Sequence, residues 1–146
     1  AYIGIPHFRE FFKPRYARII ERAHKLNMHV WMHSCGHIND LLGELIDCGL
    51  DVINIQQPLA LGIDDIACRY AGKIAFEVPA DIQKVLPSNS HCDKDKIEAH
   101  VRELIARWGT PSGGIIGMNY GAHAGIGSTP ERVQWAVSAF KSFNYR

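Results

Sequence analysis

The chain has 146 residues, 47% of them apolar, 21% charged and 10% aromatic, the make-up of a globular domain rather than a disordered, collagenous or membrane-spanning chain. Sixteen basic residues against fifteen acidic ones leave a formal charge of +1, so neither nucleic acid nor a membrane is an expected partner. Its apolar stretches fall far short of the roughly 18 to 20 residues that cross a bilayer. No charged leader with a cleavage site opens the chain, so a cytoplasmic location is expected. Four cysteines (Cys35, Cys48, Cys68 and Cys92) lack CxxC spacing and read as reduced thiols. Eight histidines are the compositional oddity.

Hydrophobic periodicity alternates between helix and strand along the chain. From about His7 to Leu26, Phe8, Phe11, Phe12, Ile19, Ile20 and Ala23 stand at helical spacing, with Pro14 marking a kink or a junction. Met28 to His33 is a strand, and Gly36 breaks it. Ile38, Leu41, Leu42, Leu45 and Ile46 form a helical stripe that stops at Gly49, a natural residue just beyond a helix end. Val52 to Gln56 is the second strand. Pro58 and Gly62 bound a loop, and Ile63, Ile66, Ala67 and Tyr70 give a short helix closed by Gly72. Ile74 to Val78 is the third strand. A one-turn helix around Asp81 to Leu86 and a polar loop precede a longer helix carrying Ile97, Val101, Leu104, Ile105 and Trp108. Ile115 to Met118 is the fourth strand. A glycine-rich loop, Gly121 to Ser128, leads to Thr129-Pro130, which reads as N-cap and first turn of the last helix.

Four strand-then-helix units call for a parallel sheet, because each return to the sheet crosses over through a helix. A closed eight-stranded barrel takes about 250 residues, so this length fits half of one. The competing geometry is an open doubly wound sheet, but the loop after the first strand lacks GxGxxG and no GxxxxGK[ST] occurs in the sequence. A single domain over residues 1–146 is expected, part of a longer barrel.

Strand alternation sorts the side chains into two sets. Met28, Val30, Met32, Ile53, Ile55, Ile74, Phe76, Val78, Ile116 and Met118 form an apolar set suited to packing against helices. His29, Trp31, His33, Asn54, Gln56, Ala75, Glu77, Gly117 and Asn119 form the mixed set. Its polar members lie late in each strand, at the rim where parallel α/β folds build their sites.

The sharpest local signal is His33-Ser34-Cys35-Gly36-His37. His33 and Cys35, two apart, project from one face and can meet one cation, with imidazole nitrogen about 2.0 to 2.1 Å and thiolate about 2.3 Å from zinc. Further ligands have to come from elsewhere, and Glu77 and His123 are placed to supply them in a barrel. The alternative is a strand end with a core cysteine and a hydrogen-bonded histidine. Cys48 and Cys68 read as small core fillers, and His24, His29 and His100 as surface or satisfied core histidines. Asp81 and Gln83 either face a substrate or cap the short helix.

The run PHFREFFKPRYARIIERAHKLNMHVWMHSCGHINDLLGELIDCGLDVINIQQP, followed by ADIQKVLP and GGIIGMNYGAHAGIGSTPERV, resembles the uroporphyrinogen decarboxylase superfamily. This superfamily includes the decarboxylase of haem biosynthesis and zinc-dependent corrinoid methyltransferases. The resemblance covers nearly the whole chain and implies the C-terminal half of a (β/α)8 barrel. Decarboxylases proper use no metal and generally lack HxCG, whereas the methyltransferases use a His-x-Cys pair and a later Cys. His33 and Cys35 match the pair, and His123 stands where the later Cys would fall. Either histidine replaces cysteine as third ligand, which zinc tolerates, or His123 corresponds to a histidine that decarboxylases carry in the same loop.

The resemblance therefore implies zinc bound by His33, Cys35 and His123, and methyl transfer between a methylated donor or thiol acceptor and a corrinoid carried by a partner protein. Glu77, Gln56 and Asp81 are the expected catalytic residues, with Asn119 and Gln83 binding a cofactor or small-molecule substrate. The alternative is cofactor-free decarboxylation of uroporphyrinogen III.

Overall fold

A computed structural model describes residues 3–143. The chain opens with a helical turn α1 (Ile5–His7) and a π-helical turn (Phe8–Phe12), which run directly into α2 (Lys13–His24). The wide turn has a cause in Pro14. In a regular helix its ring would press on the carbonyl of residue 10, and it has no N–H to offer. The turn relaxes instead to a bond from the Lys13 N–H to the Phe8 carbonyl, five residues back.

From there the chain alternates β1 (Trp31–Ser34), α3 (Asn39–Asp47), β2 (Val52–Ile55), α4 (Pro58–Leu61), α5 (Ile63–Tyr70), β3 (Ala75–Val78), α6 (Lys94–Trp108), β4 (Ile115–Gly117) and α7 (Pro130–Ser142). The strands form one four-stranded sheet in the order β1-β2-β3-β4, and every neighbouring pair is parallel. Strands laid down in chain order distinguish an arc of a barrel from a doubly wound sheet, in which the order reverses. Among the described residues no helix is long and apolar enough to cross a membrane.

One face of the sheet is covered and the other is open. Ile53, Ile55, Phe76 and Val78 are buried with Leu42, Leu45, Ile66, Leu104 and Trp108 in one apolar cluster. Trp108 packs on Phe76 in a tilted arrangement at 4.7 Å between ring centroids and satisfies its indole N–H on the Ile63 carbonyl at 2.9 Å. A second cluster joins Ala80, Val85, Leu86, Ile97, Val101 and Ile105 to Val133, Ala136 and Ala139. On the opposite face Trp31 remains 52% exposed and Ile116 37% exposed.

Several elements differ from their sequence reading. β1 begins at Trp31 rather than Met28, because Asn27 turns the chain through a left-handed conformation (φ 57°) and the Val30 N–H bonds the Asp51 carboxylate at 2.7 Å. Although burial opposes its charge, Asp51 is held below the usual carboxylate range by that N–H and by His24 and His29. The segment read as a loop after Pro58 forms α4, with the proline in its first turn. Residues 81–86 form turns instead of a helix. Cys68 is exposed, unlike buried Cys48. At 100° per residue it lies about 200° around α5 from the buried Ile66.

The face assignment also reverses on β4. Ile116 pairs in register with Glu77, so Ile116 and Met118 join the open face and Gly117 turns toward α7. A Cβ on Gly117 would lie 2.5 Å from Phe140 Cγ. Glycine carries no hydropathy that an alternation argument can weigh, and here it is required by the close approach of an aromatic ring.

Two predictions follow from these contacts. Gly117→Ala should displace Phe140 and lower stability by about 1–3 kcal/mol in thermal or denaturant melts. Glu44 of α3 accepts from Arg9 Nη2 and Lys13 Nζ, both at 2.7 Å, and these bonds, Arg9 first, pull its carboxyl from 4.5 down to about 2. Its stabilisation is complete above pH 4.5 and is lost as pH falls through about 2. Urea melts should therefore show wild type more stable than Glu44→Gln near neutral pH, with the gap closing across that acid window.

Candidate functional site

The parallel register places His33 beside Asn54 and Asn54 beside Glu77. Neighbouring strands lie about 4.7–4.9 Å apart, within reach of these side chains, and all three project from the open face. His33 Nδ1 lies 2.5 Å from Asn54 Oδ1, and Asn54 Nδ2 donates to Glu77 Oε2 at 2.5 Å. The Trp31 indole N–H donates to the same Glu77 oxygen at 3.1 Å. Gln56 Nε2 reaches Asn54 Oδ1 at 3.4 Å, and Met118 Sδ accepts from Asn54 Nδ2 at 3.4 Å. These neighbours leave Asn54 only 5% exposed although its strand face is the open one.

At the carboxy end of β1, His33 Nε2 meets Cys35 Sγ at 3.1 Å. Both residues are exposed. Gly36 adopts φ 71°, which allows the sharp turn behind the pair, and its N–H is anchored on Gln57 Oε1 at 2.9 Å. Two soft donors thus converge at a solvent-accessible strand end.

The remaining sequence-derived candidates fall elsewhere. His123 lies in a short 3-10 turn (His123–Ile126), and its Nδ1 bonds the Gly121 carbonyl at 3.1 Å. The structure does not bring it to His33 and Cys35. Among the described residues no group of three His, Cys, Asp or Glu side chains is arranged to hold a metal ion. Asp81 is 1% exposed, and both its oxygens are engaged by backbone. Oδ1 accepts from Gln83 N and Lys84 N at 2.8 Å, and Oδ2 from Leu59 N at 3.0 Å. Of the two roles read for Asp81, the observed contacts are those of a cap, on a turn rather than a helix. Gln83 is exposed. Asn119 lines a cavity of about 220 Å³ with Gly117, Met118, Val137, Phe140 and Lys141, toward α7 and not within the His33 ladder.

His100 is a satisfied core histidine. Its Nε2 accepts from the Asp81 N–H at 3.3 Å, and burial pushes its pKa down against the opposing pull of Asp81. Two features were not among the site candidates named from the sequence, although Asn54 stood in the mixed strand set. Asn54, the one polar residue in the buried strand Val52–Ile55, is the hub of the ladder, and its isolation in an apolar run was the available signal. Arg132 ties α7 to the turn after β3 through the carbonyls of Val85, Leu86 and Pro87. Nothing in its local sequence distinguishes it from a solvated arginine.

No curated protein and no solved structure matches the chain. The family model described as uroporphyrinogen decarboxylase (URO-D) matches residues 2–143. That span takes in all four strands, both apolar clusters and the polar ladder, and it establishes that the chain belongs to the uroporphyrinogen decarboxylase family.

Proposed function

We propose that this member of the family is a zinc-dependent methyltransferase, with His33 and Cys35 as two metal ligands and His123 as the third. The observation that supports it is the approach of His33 Nε2 to Cys35 Sγ, 3.1 Å apart on an exposed rim. Ligands at about 2.0–2.1 Å and 2.3 Å on a tetrahedral zinc stand about 3.5 Å from each other. The pair needs to open by only a few tenths of an ångström, so these two donors fit the metal. His123 spends Nδ1 on Gly121, which leaves Nε2 as its donor. The reading requires the loop around Gly121, Gly125 and Gly127 to carry that nitrogen to the pair.

When bound, zinc would act as a Lewis acid that keeps an acceptor thiol ionised at neutral pH. The chain's own residues do the positioning. Asn54 holds the His33 ring, Gln57 holds the backbone behind Cys35, and Trp31, Ile116 and Met118 add apolar side chains to the same open face. A small-molecule thiol or methylated substrate and a corrinoid-carrying protein are the partners this chemistry needs. Glu77 and Gln56 border the same surface, whereas Asp81 shapes the turn after β3.

Metal analysis of the full-length protein should find stoichiometric zinc, and Cys35→Ala should lose it with little change in melting temperature. Methyl transfer between a methylated corrinoid protein and a thiol should fall by at least about 100-fold in that variant, more than the loss of one outer contact costs. Zinc-free protein that turns over uroporphyrinogen III with a chelator present would instead identify the cofactor-free decarboxylase.

A further inference from the structure

We infer that Asn54 and Glu77 form a directional relay that fixes His33 as its Nδ1–H tautomer, so that Asn54 is a positioning residue whose orientation is set by Glu77 one strand further away. The inference rests on the proposed role of His33 and Cys35 as a ligand pair and adds what prepares that pair.

Its direction follows from donor and acceptor chemistry. A carboxylate has lone pairs and no hydrogen to give. Glu77 Oε2 therefore draws the amide NH2 of Asn54, as it draws the indole N–H of Trp31. The other two groups near Asn54 Nδ2, the Glu77 carbonyl and Met118 Sδ, are acceptors as well, each at 3.4 Å. On the other side of the amide, the NH2 of Gln56 points at Oδ1. Flipping the amide would set oxygen against three acceptors and NH2 against a donor, in a site with little access to water.

With Asn54 fixed, its Oδ1 can only accept, so His33 Nδ1 must carry the hydrogen. The lone pair of a neutral imidazole then resides on Nε2, the nitrogen that faces Cys35 Sγ. Free imidazole populates both tautomers. The relay removes the unproductive one before any ligand arrives, by the same logic that makes outer partners of a ligating histidine matter. Glu77 makes no hydrogen bond to His33, yet it decides which nitrogen is free.

The test is long-range proton–nitrogen NMR on metal-free, histidine-labelled full-length protein at a pH where imidazole is neutral. The His33 signals are assigned by their loss in His33→Gln. Wild type should show His33 as Nδ1–H. Glu77→Gln retains the side-chain shape but can donate as well as accept, so it should give a mixture of tautomers. Asn54→Ala, which removes the acceptor from His33 Nδ1, should do the same. Zinc affinity of the same proteins should fall about 10 to 100-fold in Asn54→Ala and Glu77→Gln.

An Nε2–H tautomer in the wild-type protein would overturn the relay, and that measurement does not depend on any variant folding. A Glu77→Gln protein that stays wholly Nδ1–H would overturn the role of Glu77 in setting the direction. Failure of the ligand-pair reading is seen separately, as a wild-type protein that binds no zinc while its His33 tautomer is still measured.

Discussion

Parallel pairing in chain order is the constraint on which everything else depends. Each strand must be followed by a crossover back to the same end of the sheet, and packing those crossovers on one face leaves the other open. The apolar alternates Ile53, Ile55, Phe76 and Val78 fill the covered face with Leu42, Ile66 and Trp108. The opposite alternates are thereby gathered on the open face. His33, Asn54 and Glu77 come together there because the register aligns them, although 21 and 23 residues separate the successive partners.

Acidic side chains at the two ends of the sheet do different physical jobs. Asp51, before β2, satisfies the Val30 N–H and bonds His24 and His29, setting where β1 begins. Asp81, after β3, takes three backbone N–H groups from α4 and the following turn. Both carboxylates meet donors that would otherwise lack partners in partly buried backbone. Glu77 differs because its donors are side chains, the Asn54 amide and the Trp31 indole. Its charge therefore organises other functional groups rather than the backbone.

Much of the fold was legible because periodicity reports burial directly. The stripe from Ile97 to Trp108 became the buried face of α6, and Thr129 caps α7 by accepting from the Arg132 N–H. The sequence reading failed where a residue's place depends on something distant. β1 is shortened by a carboxylate from the next unit, and β4 presents Ile116 and Met118 outward because Phe140 occupies the space over Gly117. Asp81 showed the same limit: the local pattern was compatible with a rim group or a cap, and only the N–H groups around it distinguish them.

The amino-acid sequence by itself determined the α/β class, the order of four βα units and the projection of His33 and Cys35 from one strand end. These are consequences of local spacing and of the fixed geometry of strands and helices. Tertiary structure alone decided that Asn54 would link His33 to Glu77, that Trp31 would share the Glu77 oxygen, and that His123 would lie apart from the pair. Those outcomes depend on strand register and loop conformation, which bring together residues distant in the chain. Composition marked the histidines as unusual, but their environments separated them: His100 serves the core, His24 and His29 bond Asp51, and His33 faces Cys35.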